Sequence, residues 1–299
     1  MTPGTRITNE GSGPYMVVGS SEHSLTCLYS GMMVVVPRQD VSTIDSAPLP
    51  CALTIGSYRL PDFVELNIVL SRMVYGDIPI LVSDDRSLES PLIQDVAAKH
   101  DCHYLCTTGR MAHCGGDIQH FINAAEFASQ EQKPFAIKQS CRFIPLAGIE
   151  QVWREGFQKA SLIVPGQIKA GQIARPNAAF YQKFGLLTDC VGWKTGSLTG
   201  QDIAEHYRAT ATQAKHAYDN FVEIAWGRLA QAKFKHDIVV DDRLANHEVG
   251  KPKLYLRKAQ SGRQEYENVA KAVGVTGQFD IREWKAIEGP QYRCFAEKL

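Results

Sequence analysis

Several absences narrow what this 299-residue chain can be. No apolar run approaches the roughly 18 residues that a membrane-spanning helix needs. The opening Met1-Thr2-Pro3-Gly4-Thr5-Arg6 lacks the apolar core of a signal peptide. Charge of neither sign is in excess: 32 Lys and Arg balance 32 Asp and Glu. The basic surplus of a nonspecific nucleic-acid binder is therefore missing, and no clear nucleic-acid patch is read. A Gly-x-Gly-x-x-Gly fingerprint is absent, which disfavours a classical NAD site. There is no internal repeat and no low-complexity tract.

Eight cysteines are present, but at irregular spacings that suit neither a disulfide framework nor a paired zinc knuckle. The patch His100, Cys102, His103, Cys106, His113 and Cys114 has zinc-ligand chemistry without zinc spacing, and structural thiols are expected there. A soluble, cytoplasmic protein with reduced thiols is the expectation.

What is present is an ordinary globular composition, 44% hydrophobic and 21% charged, in a chain long enough for one large domain or two modest ones. Residues 1–14, rich in Gly, Ser, Thr and Asn, read as a frayed arm. Residues 15–18 and 25–36 read as β segments, and 37–50, with three prolines, as a linker or irregular excursion. From residue 51 strands and helices alternate. Strands are expected at 52–55, 78–82, 103–106 and 135–138. Helices are expected between them, the first with Pro61 in its opening turn and Gly76 at its end. This pattern predicts right-handed crossovers and an α/β, mainly parallel sheet flanked by helices. The second half is less regular: strands at 162–164, 190–193, 238–240 and 254–256, a short helix at 177–183, and a long helical stretch from about 201 to 233. Thr199 and Asp202 resemble a capping box at the start of that stretch. Three divisions follow: an N-terminal arm and β extension over 1–50, a nucleotide-binding half over 51–150, and a half with the long helix over 151–299.

The polar residues of the 51–143 stretch fall at strand ends, where such sheets bind ligands. Asp84 and Asp85 follow a buried strand and could accept hydrogen bonds from a ribose or a base; capping of the loop to Ser90 is the plainer alternative. In Thr54-Ile55-Gly56-Ser57-Tyr58-Arg59, Gly56 permits close approach to the backbone, Tyr58 could stack on a base and Arg59 could hold a phosphate. Gly115-Gly116-Asp117 reads as a helix start that could present amides to a phosphate, or as a tight turn with an Asp cap. Lys138 and Arg142 could neutralise a diphosphate, or pair with Asp84, Asp85 or Asp117. Glu223 and Asp189 are candidate general bases for a hydroxyl acceptor; an Arg228 pair is the plainer role for Glu223.

These residues resemble the GT-A glycosyltransferases, particularly the family-2-like group. Ser57-Tyr58-Arg59 is similar to the loop ending that family's first strand, and Val82-Ser83-Asp84-Asp85-Arg86-Ser87 to its Val-Asp-Asp-Gly-Ser. The segments 115–128 and 135–143 match the helix and strand that lead to the metal-binding Asp-x-Asp. The run Val222-Glu223-Ile224-Ala225-Trp226-Gly227-Arg228-Leu229 looks like the family's acidic motif ahead of an Arg-Leu pair. The resemblance implies a nucleotide-sugar donor, a UDP- or GDP-sugar foremost, with Tyr58, Asp84 and Asp85 near base and ribose. It implies direct displacement at the anomeric carbon, with Glu223 first and Asp189 second as base.

One departure matters. Where the family has Asp-x-Asp, this chain has Ser140-Cys141-Arg142. The expectation is a donor site without that metal, Arg142 and Lys138 replacing the cation. Another carboxylate supplying the metal, or a chain that binds without catalysis, are the alternatives, with a sugar nucleotidyltransferase behind them. The acceptor is left open among a glycan, a lipid-linked sugar, a protein and a modified base.

Overall fold

The computed structural model describes residues 1, 3–9, 12–44, 47–108, 112–165, 167–169, 172–174, 188–213, 222–245, 251–257 and 261–279. Its centre is a seven-stranded sheet. The strands in chain order are β6 (Cys51–Ser57), β7 (Ile80–Asp84), β8 (His103–Cys106), β9 (Phe135–Ser140), β11 (Leu162–Pro165), β14 (Cys190–Lys194) and β15 (Ile238–Asp241). Across the sheet they run β15-β11-β14-β9-β6-β7-β8. The β6–β7, β7–β8, β6–β9 and β11–β15 pairs are parallel, and only β14 runs against its neighbours. β6 and β7 are buried along their whole length, which is why they read as unbroken apolar runs rather than alternating ones.

Helices cover both faces. α1 (Pro61–Tyr75), α2 (Ser90–Lys99) and α4 (Ile149–Lys159) pack with one apolar cluster that includes Leu53, Ile55, Phe63, Leu66 and Trp153. On the opposite face α3 (Ala112–Gln130), α5 (Gly200–Gln213) and α6 (Val222–Phe234) pack around Phe121, Trp193 and Trp226. α7 (Arg263–Ala272) rejoins the first cluster through Tyr266 and Val269. Short strands β10 (Ile144–Pro145) and β16 (Tyr255–Leu256) pair antiparallel at its edge, and β12 (Gln167–Lys169) pairs with β13 (Gln172–Ala174). Among the described residues no helix is long and apolar enough to cross a membrane.

The first 50 residues are more ordered than their composition predicts. β1 (Arg6–Asn9), β2 (Ser12–Ser20), β3 (Ser24–Tyr29), β4 (Met32–Pro37) and β5 (Val41–Ile44) form an antiparallel sheet in the order β4-β3-β2-β1-β5. The expected frayed arm thus holds β1, because Arg6 and Ile7 are buried under the rest of the sheet. The expected linker holds β5, which pairs with β1. The single β segment read over 25–36 is a hairpin turned at Ser30 and Gly31, both with positive φ (53° and 80°), the geometry that tight hairpins require.

Other expectations shift in detail. The strand read at 78–82 is Ile80–Asp84, because Pro79 delays entry into the ladder and Asp84 stays in it. α3 begins at Ala112, so Gly115, Gly116 and Asp117 lie inside the helix rather than at its cap. The long helical stretch is described as α5 and α6, residues 214–221 lying outside the described residues, as does the short helix read at 177–183. The capping box is there: the Asp202 amide donates to Thr199 Oγ1 at 3.1 Å, and the Thr199 amide to Asp202 Oδ2 at 3.0 Å.

Candidate functional site

The chain builds β6, moves outward to β7 and β8, then returns to the other side of β6 with β9. Between β6 and β9 the crossovers diverge, the switch point at whose carboxyl ends sheets of this kind bind ligands. The register aligns those ends, Ser57 opposite Asp84 and Gly56 opposite Ser140. Backbone strain gathers on the same rim: Arg59 (φ 61°) and Leu60 (φ 66°) are both left-handed just before α1, and Arg86 (φ 26°) follows β7. Such conformations persist where surrounding structure holds them and are concentrated at binding sites.

Tyr58 and Arg59 lie on this rim, partly buried, with the guanidinium 5.3 Å from the Tyr58 ring centre. Arg59 Nε stands 3.8 Å from the Glu89 carboxylate. Gly56 does allow a close approach, but by a side chain: a Cβ there would sit 2.6 Å from the His120 ring. That imidazole is 2.8 Å from Ser83 Oγ, which also accepts from Asn123 Nδ2 at 2.8 Å. Thr54 is buried below, within the strand, and its hydroxyl has no hydrogen-bond partner among the described residues.

The two aspartates differ in role. Asp84 is fully buried and accepts from Ser57 Oγ at 3.0 Å, from Tyr104 OH at 3.2 Å and from Ser90 Oγ. Ser90 Oγ also accepts from the Ser87 amide at 2.7 Å, so Asp84 knits the loop into α2. Asp85, the next residue, is buried too. Thr107 Oγ1 is 3.4 Å from its carboxylate, and Gly116 of α3 packs directly against it: a Cβ on Gly116 would come within 2.5 Å of Oδ2. Gly116 therefore lets α3 approach the end of β7.

Asp117, one residue on, forms an ion pair with Lys138. The Lys138 ammonium also donates to the Thr188 carbonyl at 2.9 Å and lies 4.6 Å from the Phe121 ring centre. Burial alone would raise the Asp117 carboxyl, but the Lys138 charge and hydrogen bond, with His120 behind them, outweigh it and hold the group below its ordinary value.

Arg142 sits in the turn after β9, half-buried. The turn is held to the sheet by the Cys141 amide donating to the Gly56 carbonyl at 2.9 Å, and by the Ser140 amide donating to the Asp189 carbonyl at 2.7 Å. Tyr266 OH donates to the Arg142 carbonyl at 2.9 Å. Asp189 thus adjoins the turn, and its carboxylate is ion-paired with Arg257. Glu223 lies in the first turn of α6, and its side chain is outside the description; Trp226 of the same helix stacks on Phe121 at 4.2 Å.

The structure so brings Tyr58, Arg59, Asp84, Asp85, Gly116, Asp117, Lys138, Arg142 and Asp189 to one end of the sheet. Sequence reading missed His120, Arg257 and Tyr266. The last two come from a C-terminal segment with no local signal tying it to residues 140–143 and 189. The turn offers a guanidinium where a divalent cation would need carboxylates, and among the described residues no three His, Cys, Asp or Glu side chains group to hold a metal.

A mixed α/β fold with a seven-stranded, mostly parallel sheet and a switch point between β6 and β9 belongs to the Rossmann-like class. Among solved structures, S. aureus TarS 1–349 superposes with a TM-score of 0.41 at 10% identity, over 75% of this chain and 64% of that one. A longer S. aureus TarS gives 0.43 at 9%, over 75% of this chain and 39% of that one. The apo-form glycosyltransferase GlyE of Streptococcus pneumoniae TIGR4 gives 0.42 at 7%, over 66% and 46%. The chain thus spans under two thirds of each, and at these values the likenesses bear on neither donor nor activity. No protein-family model matches the chain, and no curated protein matches it.

Proposed function

We propose that this protein is a glycosyltransferase that takes a sugar from a nucleotide-sugar donor, a UDP- or GDP-sugar, seated at the carboxyl ends of β6, β7 and β9. One observation supports the reading: the register sets the carboxyl ends of β6, β7 and β9 side by side at the sheet's switch point, so the Tyr58-Arg59 loop, Asp85 and the Arg142 turn all leave the sheet there. Tyr58 and Asp85 suit a base and ribose. Arg142, with Arg59 across the rim, suits a diphosphate, since a guanidinium can pair bidentately with phosphate oxygens and needs no metal. Glu223 is the first choice for the base that deprotonates the acceptor hydroxyl, and Asp189 the second.

A second reading, a binding protein without catalysis, has its own support. Asp84 is consumed by internal hydrogen bonds, Lys138 by Asp117 and Asp189 by Arg257. A thermal-shift panel of UDP-, GDP-, CMP- and dTDP-sugars, each with Mn²⁺ and with EDTA, separates the two. Stabilisation by a UDP- or GDP-sugar that survives EDTA, together with sugar release or transfer, is the expected result. Stabilisation with no turnover favours the binding protein, and no shift with any nucleotide removes the donor site altogether.

A further inference from the structure

The interior of α1 contains a polar residue where its apolar stripe needs none. Asn67, between Leu66 and Ile68, is fully buried, and an asparagine in a helix interior is unfavourable unless its amide is used. Its Nδ2 points at the turn after β9 and shares its two N–H groups among three backbone carbonyls: Ser140 at 3.1 Å, Cys141 at 3.1 Å and Phe143 at 2.8 Å. The amide orientation follows from its partners, because three carbonyls can only accept. Oδ1, on the other side, accepts from Ser71 Oγ at 3.1 Å and from Gln139 Nε2. Gln139 is tied in turn to Ser71 at 3.1 Å and to Tyr75 OH at 3.5 Å, and Tyr75 OH accepts from Trp153 Nε1 at 3.4 Å. All five side chains are buried.

A polar chain thus runs through an otherwise apolar core from α4, along α1 and across β9, and ends on the carbonyls that flank Arg142. Such chains are costly unless fully satisfied, and when satisfied they specify one geometry. The Arg142 carbonyl is left out of the clamp and is held instead by Tyr266 OH. The backbone on both sides of Arg142 is therefore fixed by side chains from two separate helices.

We infer that Asn67 is a positioning residue for Arg142: by clamping the carbonyls of residues 140, 141 and 143, it holds the guanidinium toward the donor diphosphate. This rests on the donor-site reading above. Preorganisation of this kind raises affinity by removing the cost of ordering the turn at binding.

The test is a double-mutant cycle on the full chain. Dissociation constants are measured by calorimetry for whichever of UDP and GDP binds the wild type more tightly, and for the matching nucleoside. Asn67→Leu should weaken the diphosphate about tenfold, the scale of one charge-assisted hydrogen bond. It should leave the nucleoside within about twofold. In an Arg142→Ala background the same substitution should add no further loss. Should Asn67→Leu not fold, Asn67→Ser, which keeps a single donor, should give a smaller loss of the same pattern. Equal weakening of diphosphate and nucleoside would make Asn67 a merely structural residue. Unchanged diphosphate binding by a folded variant, or a loss that persists without Arg142, would also overturn the inference. A wild type that binds neither diphosphate fails at the donor site itself, which is a different outcome from a wild type that binds but ignores Asn67.

Discussion

Lys138 and Asp117 show how a charge near the switch point can be spoken for before any ligand arrives. Removing one partner of a buried pair leaves the other uncompensated, so Asp117→Asn should cost about 3–5 kcal/mol of stability, read from urea unfolding at neutral pH. The sign with pH follows from the lowered Asp117 carboxyl: its stabilisation is present above its ordinary value of 3.8 and is lost as pH falls through its lower value in the fold. The advantage of wild type over Asp117→Asn should therefore narrow on acidification, and an advantage that widened would contradict this origin. Arg142 and Glu223 separate differently. Arg142→Ala should weaken donor binding more than Glu223→Gln, whereas Glu223→Gln should mainly lower turnover. Steady-state kinetics with matched donor titrations check this, and equal losses of donor affinity would undo both roles.

At the level of elements, the β3–β4 hairpin depends on backbone that side chains resist. A methyl on Gly31 would meet only ordinary contacts, Leu256 at 3.5 Å and Val269 at 3.9 Å, so conformation rather than space is the obstacle. Gly31→Ala should cost about 1–2 kcal/mol, the scale of placing a Cβ in the left-handed region, and a melting temperature equal to wild type would refute that. Strands β6, β7 and β11 of the main sheet were legible because both their faces are buried, which leaves short apolar runs between helix signals. The neighbours of β14 were not, since the order of strands in a sheet is a matter of long-range contacts that local patterning does not carry. The N-terminal sheet was legible in part: residues 15–18 and 25–36 read as β, whereas β1 and β5, short and polar, read as arm and linker until they are seen to pair. Asp84, Asp85 and Arg142 stood out at strand ends. Asn67 left only the trace of one amide in an apolar stripe, and Arg257 and Tyr266 left none.

For the molecule as a whole, the N-terminal sheet is attached to the α/β body by a buried pair as well as by apolar contact. Arg6 Nη1 lies 2.6 Å from Glu150 Oε1, and Met16 and Leu28 enter the main apolar cluster. The other Glu150 oxygen accepts from the Gly148 amide at 2.8 Å, which seats the start of α4. Arg6→Met should leave Glu150 buried without its cation and lower stability by about 3–5 kcal/mol, while unfolding stays a single transition. Fluorescence of the buried tryptophans and circular dichroism should lose signal together, and two separate transitions would mean that the sheet folds on its own. The late segment that supplies Arg257 and Tyr266 has a consequence for synthesis. Chains fold from the N-terminus as they emerge, and Tyr266 follows Arg142 by 124 residues. The ribosome therefore delivers all seven strands of the main sheet while the Arg142 carbonyl and the Asp189 carboxylate still wait for partners. A nascent chain halted near residue 250 would hold every strand of the main sheet but lack Tyr255, Tyr266 and Val269 of its apolar cluster, so donor affinity should be acquired only once that late segment has emerged.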